Sequence, residues 1–364
     1  MEGEIAYLFM FDFGASFTEE QLAGLLKNQE DFSKYEYTRP SPEEISTFNV
    51  PTIFNLKEET LTQGEAQYKF KVQAALYRFG GVSIRIRYQI ADTNYNQIVK
   101  LTFDKQVNAF VQGVLAKSRK KIEAALSKVA KISINQTSET YRFYYIDGDK
   151  PQILGKYKKA IAGLMIDEPE ADALDDSYVD NLISKGFSYD NKNVFFAGWE
   201  SAVLVDREYA HEHELLIAEI ANLQLLEMRI YHEKLTRQIE GSSKYIELFP
   251  KSGIGRYVID SKTRELNKSL GNLYDSTRSM LNSINDMVFG TGEWYLSRVY
   301  STFVYTFKLD EWKAIIEKDL EAISREREFV ADLIKFDYDV LLEYIIILLI
   351  VIEIFVEVFY MLKV

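Results

Sequence analysis

VSIRIRYQI, residues 82–90, alternates apolar and polar side chains almost without a break. Successive side chains of a strand point to opposite faces, so the run reads as a β-strand with one apolar face and one face predicted to be wet. The stretch from Tyr68 carries a similar alternation and meets it at Gly80-Gly81, so Tyr68 to Ile90 reads as a hairpin. Further out, Glu4 to Phe13 is a strand-like run with Tyr7, Phe9, Phe11 and Phe13 at alternate positions. Thr18-Glu19-Glu20-Gln21 has capping chemistry and opens a short helix. Lys100 to Lys131 is predicted to be mostly helical, Glu139 to Ile146 a strand, and Lys156 to Met165 a helix. Asp167 to Asp180 is rich in acids around Pro169 and reads as an exposed linker. Phe187 to Val205 gives two or three short strands around Asp190-Asn191. These elements define an α+β domain over residues 1–206.

After Asp206 the pattern changes. Leu216, Ile220, Leu223, Leu226 and Ile230 recur at helical spacing and share one side of a helix. A loop is expected from Gly241 to Gly255, and a second helix from Val258 to Val288 that Gly290 and Gly292 end. From Glu293 onward there is neither Pro nor Gly. Trp312, Ile316, Leu320, Ile323, Val330 and Ile334 make a further apolar stripe, and Asp310 offers a cap for a helix restart. Residues 207–338 are therefore expected to be a helical hairpin or stalk of the coiled-coil kind.

Residues 339–364 end the chain in LLEYIIILLIVIEIFVEVFYMLKV, Leu341 to Val364. As a helix, Val340 to Leu362 would run roughly 34 Å, against a hydrocarbon core of about 30 Å. The sequence thus predicts one C-terminal transmembrane helix. Arg325, Arg327 and Lys335 precede it and only Lys363 follows. By the positive-inside tendency this places a single-pass, tail-anchored protein with its N-terminal domain in the cytoplasm. Glu343, Glu353 and Glu357 interrupt the apolar run. At 100° per residue they lie within about 80° of one another, on a single stripe. Intramembrane acids usually face protein, so the stripe is expected to be a helix–helix contact, with copies of the chain or with a partner.

The same residues carry a family resemblance. Leu342-Glu343-Tyr344, the apolar run Ile345 to Ile352, then Glu353 and Glu357, resemble the C-terminal signature of the required-for-meiotic-nuclear-division/YagE family. The preceding helix, with Trp294, Tyr295, Tyr300 and the charged stretch Glu311 to Glu328, is similar as well, and YLFMFDFGASFTEEQL (Tyr7 to Leu22) resembles the family's aromatic strand, glycine turn and acidic helix start. Gln67 to Asp206 has no counterpart in that pattern. The resemblance implies a membrane-anchored protein without an established enzymatic activity, whose partners include membrane or translation-machinery proteins.

Composition narrows the chemistry. The chain of 364 residues has a net charge of −12 and a pI near 5.0, which argues against DNA or RNA as the dominant partner. It has no cysteine, so disulfides, zinc–thiolate sites and thiol nucleophiles are excluded. MEGEIAYLF at the start has no basic region ahead of an apolar stretch, so neither a signal nor a transit peptide is read there. Glu208-x-x-His211, with Glu212, His213 and Glu214, is a weak candidate for metal ligation, and a solvated helix start is the preferred reading. Lys117, Arg119, Lys120 and Lys121 read as a solvated helix face. Gly148 to Lys156 fails the phosphate-loop spacing, and Gly253-Ile254-Gly255 is a lone loop motif. No catalytic residue, cofactor or resident metal is expected. The function predicted is a membrane-anchored, oligomeric scaffold or interaction protein. The alternative is a cation channel or transporter-like oligomer with an acid-lined bundle of membrane helices.

Overall fold

The computed structural model describes residues 3–27, 33–34, 51–90, 95–207, 211–247, 261–287 and 294–362. It divides into two compact units, Met1–Ile230 with Asn282–Trp312, and Tyr231–Leu281 with Lys313–Val364.

The first unit is built on a mixed sheet. Its strands are β1 (Gly3–Asp12), β2 (Ser33–Lys34), β3 (Thr52–Asn55), β4 (Glu59–Gln63), β5 (Ala66–Leu76), β6 (Gly81–Ile90), β7 (Ser138–Asp147), β8 (Val194–Ala197) and β9 (Ser201–Asp206). Their spatial order is β2-β3-β5-β6-β1-β7-β9-β8, with β4 also paired to β5. Only β7 and β9 run parallel; every other pair among the described strands is antiparallel. The Tyr68–Ile90 hairpin forms as the alternation predicts. Its turn closes with Tyr77 N donating to Gly81 O (2.9 Å). Gly80 adopts φ 109° there.

β1 is the middle of the sheet and is buried at every position. On one face it presents Ile5, Tyr7, Phe9 and Phe11, in register with Val82, Ile84 and Ile86 of β6 and with Tyr144 of β7. This face carries the main hydrophobic core. It is covered by α2 (Tyr95–Phe103), α3 (Lys105–Leu126) and α4 (Lys150–Ile166). Asp104 caps α3, accepting from Gln106 N and Val107 N at 2.8 and 2.9 Å. α1 (Glu19–Lys27) opens on the predicted capping pair, with Thr18 N donating to Gln21 Oε1 (2.9 Å) and Gln21 N to Thr18 Oγ1 (3.2 Å).

The opposite face departs from the sequence reading. The polar side of VSIRIRYQI is not wet: Ser83, Arg85 and Arg87 are all buried. Two helices cover it, α6 (Glu212–Glu247) over β6 and α8 (Trp294–Phe307) over β7 and β8. Along α6 every residue from Glu214 to Met228 is buried, so the helix is an interior element of this unit on all sides. The stretch expected to be a linker also folds. It holds a turn of 3-10 helix at Ala171–Ala173 and α5 (Asp176–Ser184), anchored by buried Ala171 and Val179.

The second unit consists of helix. It contains α6 from Tyr231, most of α7 (Ser261–Met287) and α9 (Leu309–Met361) from Lys313. Residues 241–247 of the expected Gly241–Gly255 loop are instead part of α6; residues 248–255, with Gly290 and Gly292, lie outside the described residues. The restart near Asp310 is real: Lys308 takes φ 54° between α8 and α9. Inside this unit Leu270, Ile316, Leu320, Ile323 and Val330 are buried, and His232 Nδ1 meets Asp319 Oδ2 at 2.7 Å.

The predicted transmembrane helix is overturned. Among the described residues no helix is long and apolar enough to cross a membrane. The physical reason lies in the three acids, since the described run Leu342–Phe359 contains Glu343, Glu353 and Glu357. Each carboxylate near a bilayer centre opposes insertion by about 2.5–3.5 kcal/mol on the scale for Asp. The single-pass, tail-anchored placement and its cytoplasmic sidedness fall with that helix, as does the span that an acid-lined cation path requires.

The hairpin turn yields a test. A Cβ on Gly80 would sit 2.5 Å from Ala15 O, whereas one on Gly64 (φ 61°) meets nothing within 4 Å. Gly64→Ala is expected to cost about 1 kcal/mol for the left-handed backbone alone. Gly80→Ala adds a backbone clash and is expected to cost about 3 kcal/mol. Urea midpoints of the two variants check the order.

Candidate functional site

The buried face of β6 gathers charges that the sequence scatters. Arg85 is 0% exposed and forms a two-point pair with Glu219 of α6, also 0% exposed. Arg85 Nε donates to Oε1 at 2.6 Å and Nη2 to Oε2 at 2.5 Å. Ser83 Oγ donates to the same carboxylate at 2.7 Å and Tyr77 OH at 3.2 Å. Two strand positions further, Arg87 donates to Glu4 of β1 at 2.6 and 3.1 Å, meets Glu212 at 2.6 Å, and approaches Gln73 at 3.4 Å. His211 places Nε2 3.3 Å from both Arg87 Nη2 and Glu4 Oε1, and its ring stacks on Tyr145 at 4.5 Å.

Burial works against the ionised form of Glu4. The Arg87 guanidinium, with His211, outweighs it and brings the carboxyl down to about 2. Glu214 lies deep in the same region without such a cation. Burial pushes it up to about 7, against the pull of its backbone amide, His211 and a hydrogen bond donated by Tyr295. Its Oε2 has no hydrogen-bond partner among the described residues, which suits a protonated carboxyl.

The structure therefore treats the weak metal candidates differently from one another. His211 and Glu212 come together, but on Arg87 and Glu4, and both His211 and Glu214 are buried where a solvated helix start was expected. Glu208 lies outside the described residues. Among the described residues no group of His, Asp and Glu is arranged to hold a metal ion. The Lys117–Lys121 cluster behaves as an ordinary surface, with Lys117 paired to Glu59 and Arg119 to Glu123. The arginines of the buried cluster are committed to carboxylates, so its chemistry is that of a lock between sheet and helix. Sequence reading missed Glu4, Arg85, Arg87 and Glu219. The available signal was two arginines at alternate positions of a strand and an acid, Glu219, inside an otherwise apolar helix run.

Glu343, Glu353 and Glu357 are exposed along the last turns of α9. Every described apolar side chain from Leu342 to Leu362 is exposed too, by 43% or more.

A separate open groove of about 1040 Å³ lies within the first unit. One wall is the turn between β8 and β9, with Trp199 and Glu200; the other is the outer side of α8, with Tyr300 and Tyr305. Leu296, Val299, Phe303 and Phe307 form the buried side of α8. Phe303 packs on Tyr141 and Phe195 at ring distances of 6.0 and 5.7 Å.

These features define a class: a mixed-sheet α+β domain with helices on both faces, locked from inside by ion pairs and continued by a helical unit. The chain belongs to the family described as "Uncharacterized protein MJ0711, N-terminal domain", which matches residues 2–211. It is similar to the uncharacterized protein MJ0711 of Methanocaldococcus jannaschii, 24% identical over 233 residues, covering 64% of this chain and 70% of that protein. No solved structure matches. These matches do not bear on the YagE-type resemblance of the C-terminal region.

Two tests follow from the cluster. Arg85→Met alone strands the Glu219 carboxylate in the interior and is expected to cost about 3–5 kcal/mol, while Arg85→Met with Glu219→Leu recovers most of the loss. A double-mutant cycle in urea reads this coupling. The pH dependence has two opposing arms. Glu4, depressed from 4.5 to about 2, contributes stability that is present above pH 4.5 and lost as pH falls toward 2. Glu214, raised from 4.5 to about 7, contributes stability that is full below pH 4.5 and lost as pH rises through 7. Glu214→Gln is expected to abolish the second arm, worth up to about 3 kcal/mol between pH 4.5 and 8. Denaturation midpoints across that range would show it.

Proposed function

We propose that the protein is an interaction scaffold that joins copies of itself through the C-terminal end of α9. The reading rests on the exposure of every described apolar side chain from Leu342 to Leu362. A helix that is apolar nearly all round is normally a buried element. Contiguous apolar patches on monomers reach only about 300–600 Å² and tend to be binding sites when they do. A second copy supplies the same surface in complementary form, as self-association generally does.

The acid stripe takes a role opposite to the one read from sequence. With no span to hide in, Glu343, Glu353 and Glu357 form the side that stays in water. At 100° per residue, Leu348, Ile352, Phe355 and Phe359 lie opposite that stripe, and they are the side chains that meet the neighbouring copies. The first unit then provides surfaces for other partners. This reading assigns no reaction to the chain.

Light scattering of the full chain without detergent tests it. Oligomers are expected at micromolar concentration. Leu348→Glu with Phe355→Glu, opposite the stripe, is expected to weaken association at least tenfold, while Glu353→Gln leaves it intact. A monomer at tens of micromolar, or partition into liposomes in place of self-association, would refute the reading.

A further inference from the structure

The groove between the β8–β9 turn and α8 has features that the buried lock and the α9 tail do not explain. At about 1040 Å³ it sits at or above the roughly 300–1,000 Å³ usual for small-molecule clefts. Two large aromatic side chains are left open in it: Trp199, 49% exposed, and Tyr305, 82% exposed.

Trp199 is held in place. Its ring meets Phe307 edge-on at 5.6 Å. The turn that carries it is fixed by Tyr141 OH donating to Gly198 O (3.0 Å) and by Gly198 N donating to Ser201 O (2.7 Å). Gly198 packs so closely that a Cβ there would lie 2.5 Å from Met165 O. A fixed aromatic side chain loses little freedom when it is covered.

Three of the hydroxyls around the groove are already engaged. Tyr300 OH donates to Gln224 Oε1 (2.8 Å), Ser301 Oγ to Ser297 O (2.9 Å), and Thr306 Oγ1 to Thr302 O (2.8 Å). A small polar substrate would find few of the placed donors that orient one. The charge balance favours a cation instead. Glu200, Asp310 and Glu311 line the groove against Lys185 and Lys308, and Lys308 already approaches Glu311 at 3.4 Å. The net charge of −12 adds an attractive field for positive groups.

We propose that this groove docks a basic, extended peptide segment of a partner protein, with arginine or lysine side chains laid on Trp199 and Tyr305 and their charges answered by Glu200 and Asp310. Aromatic faces attract guanidinium and ammonium groups, and Trp and Tyr are the side chains most often found at binding hot spots.

The probe is a fluorescein-labelled octapeptide of alternating Arg and Leu, with a twin in which Glu replaces Arg, each titrated by polarisation against the full chain. Saturable binding of the Arg peptide alone is expected. Tyr305→Ala and Trp199→Ala should each weaken it at least tenfold, and Glu200→Gln several-fold. The two aromatic substitutions leave net charge unchanged, so a loss there separates groove docking from general attraction to an acidic surface. Tyr305 is the safer of the two because its exposed ring contributes little to packing. No binding of the Arg peptide, equal binding of the twin, or undiminished binding by both aromatic variants would overturn the proposal.

Discussion

The pairing of Arg85 with Glu219 is the contact on which the two-sided sheet depends. An isolated guanidinium in a protein interior carries a desolvation cost of several kcal/mol, so β6 can be covered on this face only by an element that brings a carboxylate. α6 brings it, 134 residues away in the chain, together with Glu212 for Arg87. The register of the sheet makes room for both arginines. On the β1 side Arg85 stands opposite Leu8 and Arg87 opposite Ala6, and neither of these two competes for the polar space. Ser83 and Tyr77 supply the remaining donors to Glu219. The lock therefore combines strand register, helix phase and charge matching, and a shift in any one of them breaks the others.

That dependence bears on what the family match delimits. The matched region ends at residue 211, just where α6 starts. Residues 2–211 supply the whole sheet and the helices over its aromatic face, but not Glu212 or Glu219. The compact unit runs on to Ile230 and takes in Asn282–Trp312 as well. The sheet domain is thus closed by residues beyond the matched boundary. The 233 residues aligned with the relative exceed the 210 of the matched region, which fits a fold needing more than its strands.

Local signals in the sequence carried most of the sheet. β1, the β5–β6 hairpin and β7 were legible because alternation and paired glycines depend only on near neighbours, and so was the Thr18–Gln21 cap. The wet face assigned to VSIRIRYQI was not, because exposure depends on what covers a strand, and its cover lies far along the chain. The acid-rich stretch after Asp167 misled for a related reason. Its acids suggested a linker, while the anchors that fold it are two small apolar residues, Ala171 and Val179. Gly241 shows the limit of reading glycine as a break, since the surrounding turns of α6 carry it through. Of the candidate site residues, His211 and Glu212 were noticed for their spacing, yet their partners Glu4 and Arg87 belong to strands whose pairing no spacing rule reveals.

The end of α9 makes the same point about context from the other direction. Apolar density and length suggested a span, and the stripe of Glu343, Glu353 and Glu357 was then read as the face turned toward protein. The position of the acids on the helix is unchanged by the correction; what falls is the lipid span read around them. In lipid the carboxylates are the groups to be hidden, while in water they are the only side that needs no cover. The remaining arc is too wide for a single two-helix seam, which uses a stripe narrower than the roughly 100° of a core-facing helix, so one neighbour would still leave apolar side chains bare. Under the proposed self-association, an acid stripe on one side and a broad apolar arc on the other favour bundles in which each helix touches more than one copy.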